Sequence, residues 1–197
     1  MGRGEQTRER IVAAAAGVFN ERGFAGASMA DLMAATGLQK GGLYRHFESK
    51  EALALAAFDH AIARMTERFT AAVQSSAHSV ERLHAVIRVF ESIPDDPPVP
   101  GGCPLMNAVM ECDDAPSPLR DRARGAMDGL HGLLRRIAAR GVERGEVRPE
   151  VDAEALATVM VSALEGSLAL TRFYGDRRHL RFAAEHLRWY LDGSVRA

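Results

Sequence analysis

The fold is decided by residues 37–53, which read GLQKGGLYRHFESKEAL. Gly37 interrupts the helical segment before it. Leu43 and Phe47 lie four residues apart, so they can anchor one face of a short helix. Ser49 is placed to cap a longer helix, which we expect to run to about residue 76. The stretch therefore predicts a short exposed helix between a tight turn and a long helix.

Two further helices precede this stretch. Residues 7–22 carry apolar side chains at helical spacing, and Gly23 ends that segment. Residues 28–31, SMAD, have the form of a capping box that opens a second helix. An apolar helix followed by two short helices around a glycine turn has the parts of a helix-turn-helix.

The rest of the chain also predicts helices, because strand-forming residues never gather into alternating runs. A helix containing Leu83 to Phe90 ends before the loop PDDPPVPGG at 94–102. Helices follow at about 103–112, 118–144, 152–174 and 177–192. We expect an all-α protein of about nine helices, with a three-helix domain at 1–50 and a helical domain at 51–197.

Charge is distributed unevenly along the chain. Residues 1–50 contain seven Lys and Arg against five Asp and Glu, whereas the remainder contains eighteen against twenty-one. A mildly basic N-terminal domain on an acidic body suits a protein that presents one end to phosphate.

The wording of residues 37–53 resembles the TetR/AcrR family signature, G-x-S-x-G-[TS]-[LI]-Y-x-[HY]-F-x-[SN]-K-E-x-L. The match extends upstream through Arg10-Ile11, Phe19, Gly23-Phe24 and Ser28. It departs at Gln39, where serine is common, and at Gly42, where threonine or serine is usual. The resemblance implies a transcriptional regulator, typically a repressor, that binds an operator in double-stranded DNA.

The resemblance assigns roles to the helix-turn-helix residues. Tyr44, His46, Lys50 and Ser28 would contact phosphates, the last while capping its helix. Gln39, Lys40 and Arg45 would read bases, and the Arg45 guanidinium matches the two acceptors of guanine. The DNA-contacting set is completed by Gly41 and Gly42. These two glycines weaken the recognition helix, which we expect to fray without DNA.

The last two helices predict a homodimer. Residues 156–170 are apolar nearly all round, and residues 177–191 carry Phe182 and Trp189 on a second face opposite the first. Helices at about 152–174 and 177–192 would therefore pack against a second copy, as the resemblance also implies. A two-fold dimer places two recognition helices about 34–36 Å apart on a palindrome.

A small hydrophobic inducer is expected among the helices of the second domain. The candidate contacts are mostly apolar or adaptable side chains: Phe69, Ile87, Phe90, Cys103, Met106, Asn107, Met110, Met127, Leu130, Met160, Leu164 and Glu165. Asn107, Glu111 and Glu165 interrupt apolar stretches, so each needs a polar partner. That partner is either a ligand or a protein group.

Cys103 carries an alternative mode of regulation. It precedes Pro104, which favours the first helical position, so Cys103 becomes the N-cap residue, where thiols gain reactivity. Residues 101–107, GGCPLMN, resemble a G-C-[PL]-x-x-N element in family members that sense electrophiles or oxidants. Two interpretations stay open: a reactive thiol sensor or a small buried residue. A disulfide to Cys112 is not expected, because nine helical residues span about 13 Å.

No enzymatic function, cofactor or metal is predicted. Glu81/His84 and Asp128/His131 have the spacing of carboxylate–histidine metal ligands. Helical geometry turns both acids away from the apolar faces and toward solvent. No stretch approaches the roughly 20 apolar residues of a membrane span, so we expect a cytoplasmic protein. An architectural DNA-binding protein without a ligand is the remaining alternative.

Overall fold

The computed structural model describes residues 2–112 and 116–197, excluding the side chain of Arg3. The described residues form nine α-helices and a short π-helical turn at Leu191–Val195. The α-helices are α1 Arg3–Arg22, α2 Met29–Thr36, α3 Lys40–Tyr44, α4 Lys50–Gln74, α5 Ser79–Ser92, α6 Pro104–Glu111, α7 Pro118–Glu143, α8 Ala153–Tyr174 and α9 Arg178–Tyr190. The prediction of an all-α protein is confirmed.

The chain divides into two compact units. The first comprises Met1–Met65 and Pro97–Arg124, and the second comprises Thr66–Asp96 and Gly125–Ala197. The first unit is larger than the domain predicted at 1–50, because α6 packs against α1. A functional boundary at residue 50 stays a prediction.

The residues predicted to begin and end the helices of the first unit lie at helix ends in the structure. Gly23 and Gly37 follow α1 and α2 with φ of 81° and 69°, values that favour glycine. Ser28 and Asp31 form a reciprocal capping box at the start of α2. The Ser49 Oγ accepts a hydrogen bond from the Ala52 N–H at 3.0 Å and caps α4.

The core of the first unit lies under the two short helices. Phe19 stacks on Phe24 with ring centroids 5.5 Å apart, and Phe24 meets Phe58 edge-on at 6.1 Å. Leu43 and Phe47 are buried in the same core. Their predicted role in packing is confirmed, which leaves the other side chains of α3 available to the surface.

The second unit packs α5, α8 and α9 together. Its C-terminus is held by charges, since Arg196 binds Glu81 at 2.6 Å and Asp192 at 3.0 Å. Asp192 also contacts the buried His84 at 3.0 Å. Glu81 points away from the apolar face of its helix as predicted: its side chain is 45% exposed, and Arg196 covers part of it. Asp128 is exposed as predicted.

Helix α8 corrects one prediction. Its 22 residues contain an 18-residue window with a mean hydropathy of 1.4, so α8 is long and apolar enough by length and composition to span a membrane. Within the second unit, however, 44% of that apolar window is buried. Core helices of soluble proteins pass the same test, so the composition of α8 gives no argument for a membrane.

Candidate nucleic-acid interface

Helix α3 is short and presents most of its side chains to the surface. Gln39 is its N-cap residue, and the helix continues only to Tyr44 before Arg45 ends it. The structure leaves Gln39, Lys40, Gly41, Tyr44 and Arg45 exposed, and it half-buries Gly42, His46 and Lys50. All eight predicted DNA contacts of this stretch therefore reach the surface, although no bound DNA tests their roles.

One pair of side chains organises the exposed edge of α3. The Lys40 Nζ lies 5.9 Å from the centroid of the Tyr44 ring, a cation–π distance. The Tyr44 hydroxyl lies 3.9 Å from the Met29 sulfur of α2. These contacts place an aromatic ring and a positive charge next to each other on the exposed surface of α3.

Ser28 is occupied by the start of α2. Its Oγ donates to Asp31 Oδ2 at 2.7 Å and accepts from the Asp31 N–H at 3.2 Å. The Ser28 hydrogen bonds lower the pKa of Asp31, as does Arg22, whose guanidinium lies 2.8 Å away. The cap fixes the first turn of α2, and any phosphate contact by Ser28 adds to this structural role.

The turn between α1 and α2 is bound from two directions. The Glu111 carboxylate accepts hydrogen bonds from the Phe24 N–H at 2.7 Å and the Ala25 N–H at 2.6 Å. The Lys50 ammonium donates to the Ala25 carbonyl at 3.3 Å. A predicted phosphate contact thus also supports the turn that leads into Ser28.

Asn107 binds protein groups. Its amide nitrogen donates to the Asn20 Oδ1 at 2.8 Å, to the Asn20 carbonyl at 3.1 Å and to the Gly101 carbonyl at 2.9 Å. Asn20 in turn donates to the carbonyls of Pro100 and Gly102. The sequence left open whether Asn107 and Glu111 bind a ligand or protein groups. In the structure, both residues bind protein groups.

The remaining inducer candidates fall into both units. Cys103 is buried and Met106 half-buried in the first, whereas Met110 is 77% exposed. In the second unit, the Phe69 and Phe90 rings meet at 5.5 Å. Ile87, Leu130, Met160, Leu164 and Glu165 are buried there and Met127 is half-buried. Whether they contact a ligand stays a prediction.

The first unit also contains an open cavity of about 490 Å³ that the sequence did not predict. Its lining includes Phe24, Lys50, Leu55, Glu111 and Cys112, together with residues at the start of α7. None of the predicted inducer contacts lines it. Among the described residues, no cluster of His, Cys, Asp and Glu is placed to hold a metal ion.

Arg8 is the surface residue that sequence analysis missed. The Arg8 guanidinium lies over the Phe47 ring, 4.7 Å from the ring centroid. Helix α1 therefore places a positive charge beside Phe47, just after the end of α3. No local spacing signals this contact, because Arg8 and Phe47 are 39 positions apart and meet only through the fold.

Comparison with known proteins identifies the family that the chain resembles in sequence and structure. The family of bacterial regulatory proteins named for tetR matches residues 11–57, and the tetracyclin repressor-like C-terminal domain matches residues 79–187. A TetR transcriptional regulator from Chloroflexus aurantiacus J-10-FL is 45% identical, with a TM-score of 0.95 over 100% of this chain and 99% of that chain.

Two further proteins support the assignment. A TetR-family regulator from Cytophaga hutchinsonii is 33% identical, with a TM-score of 0.90 over 100% of this chain and 98% of its own. The transcriptional regulator TtgR of Pseudomonas putida is 26% identical over 82% of this chain and 78% of its own.

The fold and the exposed helix-turn-helix define a DNA-binding transcriptional regulator without enzymatic activity. The chain belongs to the TetR family.

Proposed function

We propose that the protein is a cytoplasmic homodimeric repressor that leaves a palindromic operator when a small hydrophobic or electrophilic molecule binds it. The observation that carries this proposal is the combination of an exposed recognition surface on α3 with an exposed apolar stripe on the last two helices. Each recognition helix alone reads only a few base pairs, so a specific operator requires two of them.

The apolar stripe supports the dimer. Val159, Leu170 and Phe173 follow each other at helical spacing along one face of α8, and Phe173 is 81% exposed. On α9, Phe182 and Trp189 are two turns apart, and Trp189 is 68% exposed. Several exposed large apolar side chains on two helices that pack together indicate an interaction surface. We take a second copy as the occupant, because a palindromic operator requires two recognition helices related by a two-fold axis.

Operator binding is tested by selection from a random-sequence library of duplex DNA. The proposal predicts enrichment of a two-fold symmetric sequence with half-sites about one helical turn apart. The binding constant of the enriched duplex should fall steeply with salt, because Lys and Arg contacts to phosphate release counterions. Recovery of no common sequence would contradict the proposal.

The inducer acts in this proposal by population shift. In this proposal the dimer exchanges between two spacings of its recognition helices, and only one spacing fits the operator. A ligand that binds the other spacing more tightly lowers operator affinity, by a factor limited by the difference between its affinities for the two spacings. Helix α4 begins at Lys50 and would carry such a movement. A thermal-shift screen of hydrophobic compounds, followed by operator release, tests it. If no compound both raises the melting temperature and releases the protein from its operator, the result favours an architectural DNA-binding protein without a ligand.

A thiol sensor at Cys103 is the second candidate. The residue is the N-cap of α6, a position where backbone N–H groups favour the thiolate. Against this, Cys103 is only 4% exposed, so an electrophile reaches it only when the segment opens. N-ethylmaleimide should weaken operator binding of the wild type and leave C103A unaffected. Full alkylation of Cys103 with unchanged affinity would exclude the sensor.

A further inference from the structure

A carboxylate from outside the helix-turn-helix holds the turn on which that motif depends. Glu111 is the last residue of α6, and both of its oxygens accept hydrogen bonds from consecutive backbone N–H groups, those of Phe24 and Ala25. At 2.7 and 2.6 Å these are short, charge-assisted bonds. The α1–α2 turn is therefore bound to a helix that lies 86 positions further along the chain.

The shape of the turn fits this carboxylate. Gly23 has a φ of 81°, and a Cβ added there would lie 3.0 to 3.3 Å from the carboxylate atoms of Glu111. A side chain at position 23 would thus meet the carboxylate as well as strain the backbone. The positive φ favours glycine at position 23, and its missing side chain leaves room for the Glu111 carboxylate beside the turn.

Helix α6 is itself anchored to α1. Asn107 lies one helical turn before Glu111, and its amide nitrogen binds the carbonyl and side-chain oxygen of Asn20 near the end of α1. Gly101, with a φ of 102°, lies so close to α1 that a Cβ there would approach the Asn20 backbone within 2.7 Å. These contacts fix the helix from which Glu111 reaches the turn.

We propose that Glu111 is a positioning residue for operator binding, acting through the α1–α2 turn. The proposal rests on the proposed function of operator recognition. The turn leads into Ser28, and its Ala25 carbonyl accepts from Lys50, so it links two of the predicted phosphate contacts. Glu111 fixes the backbone between them without touching DNA.

The direction in which operator affinity changes distinguishes a positioning role of Glu111 from a purely electrostatic effect of its charge. Replacing Glu111 with glutamine removes a negative charge near a DNA-binding surface, and charge alone would strengthen binding to the polyanion. Positioning predicts the reverse, because the glutamine amide nitrogen is a donor and would face a backbone N–H donor. The two explanations give opposite directions for one substitution.

The experiment compares the wild type, E111Q and the matched control E48Q on a duplex selected by the wild type from a random-sequence library. Glu48 is an exposed acid three residues after Arg45. We expect E111Q to bind about tenfold more weakly, with a slope of affinity against salt lower by up to about 1, because a displaced Lys50 loses its phosphate contact. E48Q should bind equally well or more tightly. Hydrogen exchange of the Phe24 and Ala25 amides should accelerate in E111Q alone.

Each outcome has one meaning. E111Q binding as tightly as the wild type or more tightly, or exchange of the two amides at the wild-type rate, would overturn the positioning role. Failure of the wild type and E48Q to enrich any sequence would contradict the proposed function instead, and the exchange measurement tests the Glu111 contact independently of DNA.

Discussion

At the scale of single residues, the recognition surface combines side chains with different duties. Arg45 is exposed at the end of α3, where its guanidinium is free to turn toward base edges. Lys50 lies at the start of α4 and already binds the Ala25 carbonyl. A base contact specifies sequence, whereas a phosphate contact sets position, so substitutions at these two residues should leave different signatures.

We expect R45A to relax the preference for one base pair per half-site and to cost roughly 1–3 kcal/mol on the selected duplex. K50Q keeps a donor for Ala25 but loses the charge. It should weaken binding to all sequences and lower the salt slope by about 1 per contact. Binding to a panel of single-base operator variants at several salt concentrations measures both. Equal losses on every sequence for R45A would remove it from base reading.

Ser28 provides a test of the capping box. S28A removes the acceptor for the Asp31 N–H and should destabilise the first unit by roughly 1 kcal/mol. S28N keeps a capping side chain and should lie close to the wild type in stability. Chemical denaturation of both variants measures the difference. Equal stability of S28A and the wild type would show that the cap contributes nothing to folding.

At the scale of elements, α3 is the shortest α-helix of the first unit. It has five residues, two of them glycines, and neither glycine has a positive φ. A Cβ at Gly41 would meet nothing, and one at Gly42 would meet only the Leu38 side chain at 3.4 Å. The fold therefore tolerates alanine at both positions, and the glycines weaken the helix without a packing reason.

We predict rapid amide exchange at residues 40–45 in the free protein and slower exchange when operator DNA is bound. G42A should slow exchange in the free protein, because alanine favours the helix by about 1 kcal/mol over glycine. Hydrogen–deuterium exchange with fragment resolution measures this. Slow exchange of these amides in the free wild type would contradict the expectation that α3 frays.

Elements were predictable from sequence where local chemistry determines them. The cap at Ser28, the glycine stops at 23 and 37, the N-cap at Cys103 and the loop before it all follow from rules that act within a few residues. Contacts between distant positions were not predictable. Glu111 was known only to need a partner, and the covering of Glu81 by Arg196 depends on where the chain end folds back.

The same limit applies to the candidate sites. The surface of α3 follows from one motif, because its residues are consecutive and Leu43 with Phe47 fixes the buried face. An inducer site needs side chains from several helices, whose relative rotation no local pattern determines. Met110 illustrates this, since its apolar character predicted a lining residue and the structure leaves it exposed.

At the scale of the whole molecule, the proposed dimer depends on the apolar stripe of α8 and α9. F173E places a charge in that stripe, where dimerisation would desolvate it. We expect the dimer dissociation constant to rise by about 100-fold or more, and operator affinity to fall with it. Analytical ultracentrifugation measures the first. V109E, on α6, should stay dimeric, and a dimeric F173E would place the interface elsewhere.

Acid should weaken the second unit through its C-terminal charge cluster. The contact with His84, and then Arg196, lowers the pKa of Asp192, and the hydrogen bond from Arg196 lowers the pKa of Glu81. Both carboxylates bind protons less readily in the native state than unfolded. Their stabilisation is therefore complete above the ordinary values of 3.8 and 4.5 and is lost as pH falls through the lowered native values.

The variant D192N/E81Q should accordingly show a smaller fall in Tm than the wild type between neutral pH and about pH 3. Glu150 is an exposed acid of the same unit, and E150Q should follow the wild-type curve. Calorimetry across this pH range makes the comparison. Parallel curves for the wild type and the double variant would show that the cluster carries no pH-dependent stability.

A hydroxyl-radical footprint of the wild type on its selected duplex tests the central claim most directly. Two recognition helices related by a two-fold axis should protect two symmetric blocks, with centres about 10 base pairs apart on one face of the DNA. F173E should lose both blocks together at protein concentrations where the wild type protects them. A single block, or two blocks without symmetry, would contradict the account of a dimeric repressor reading a palindrome.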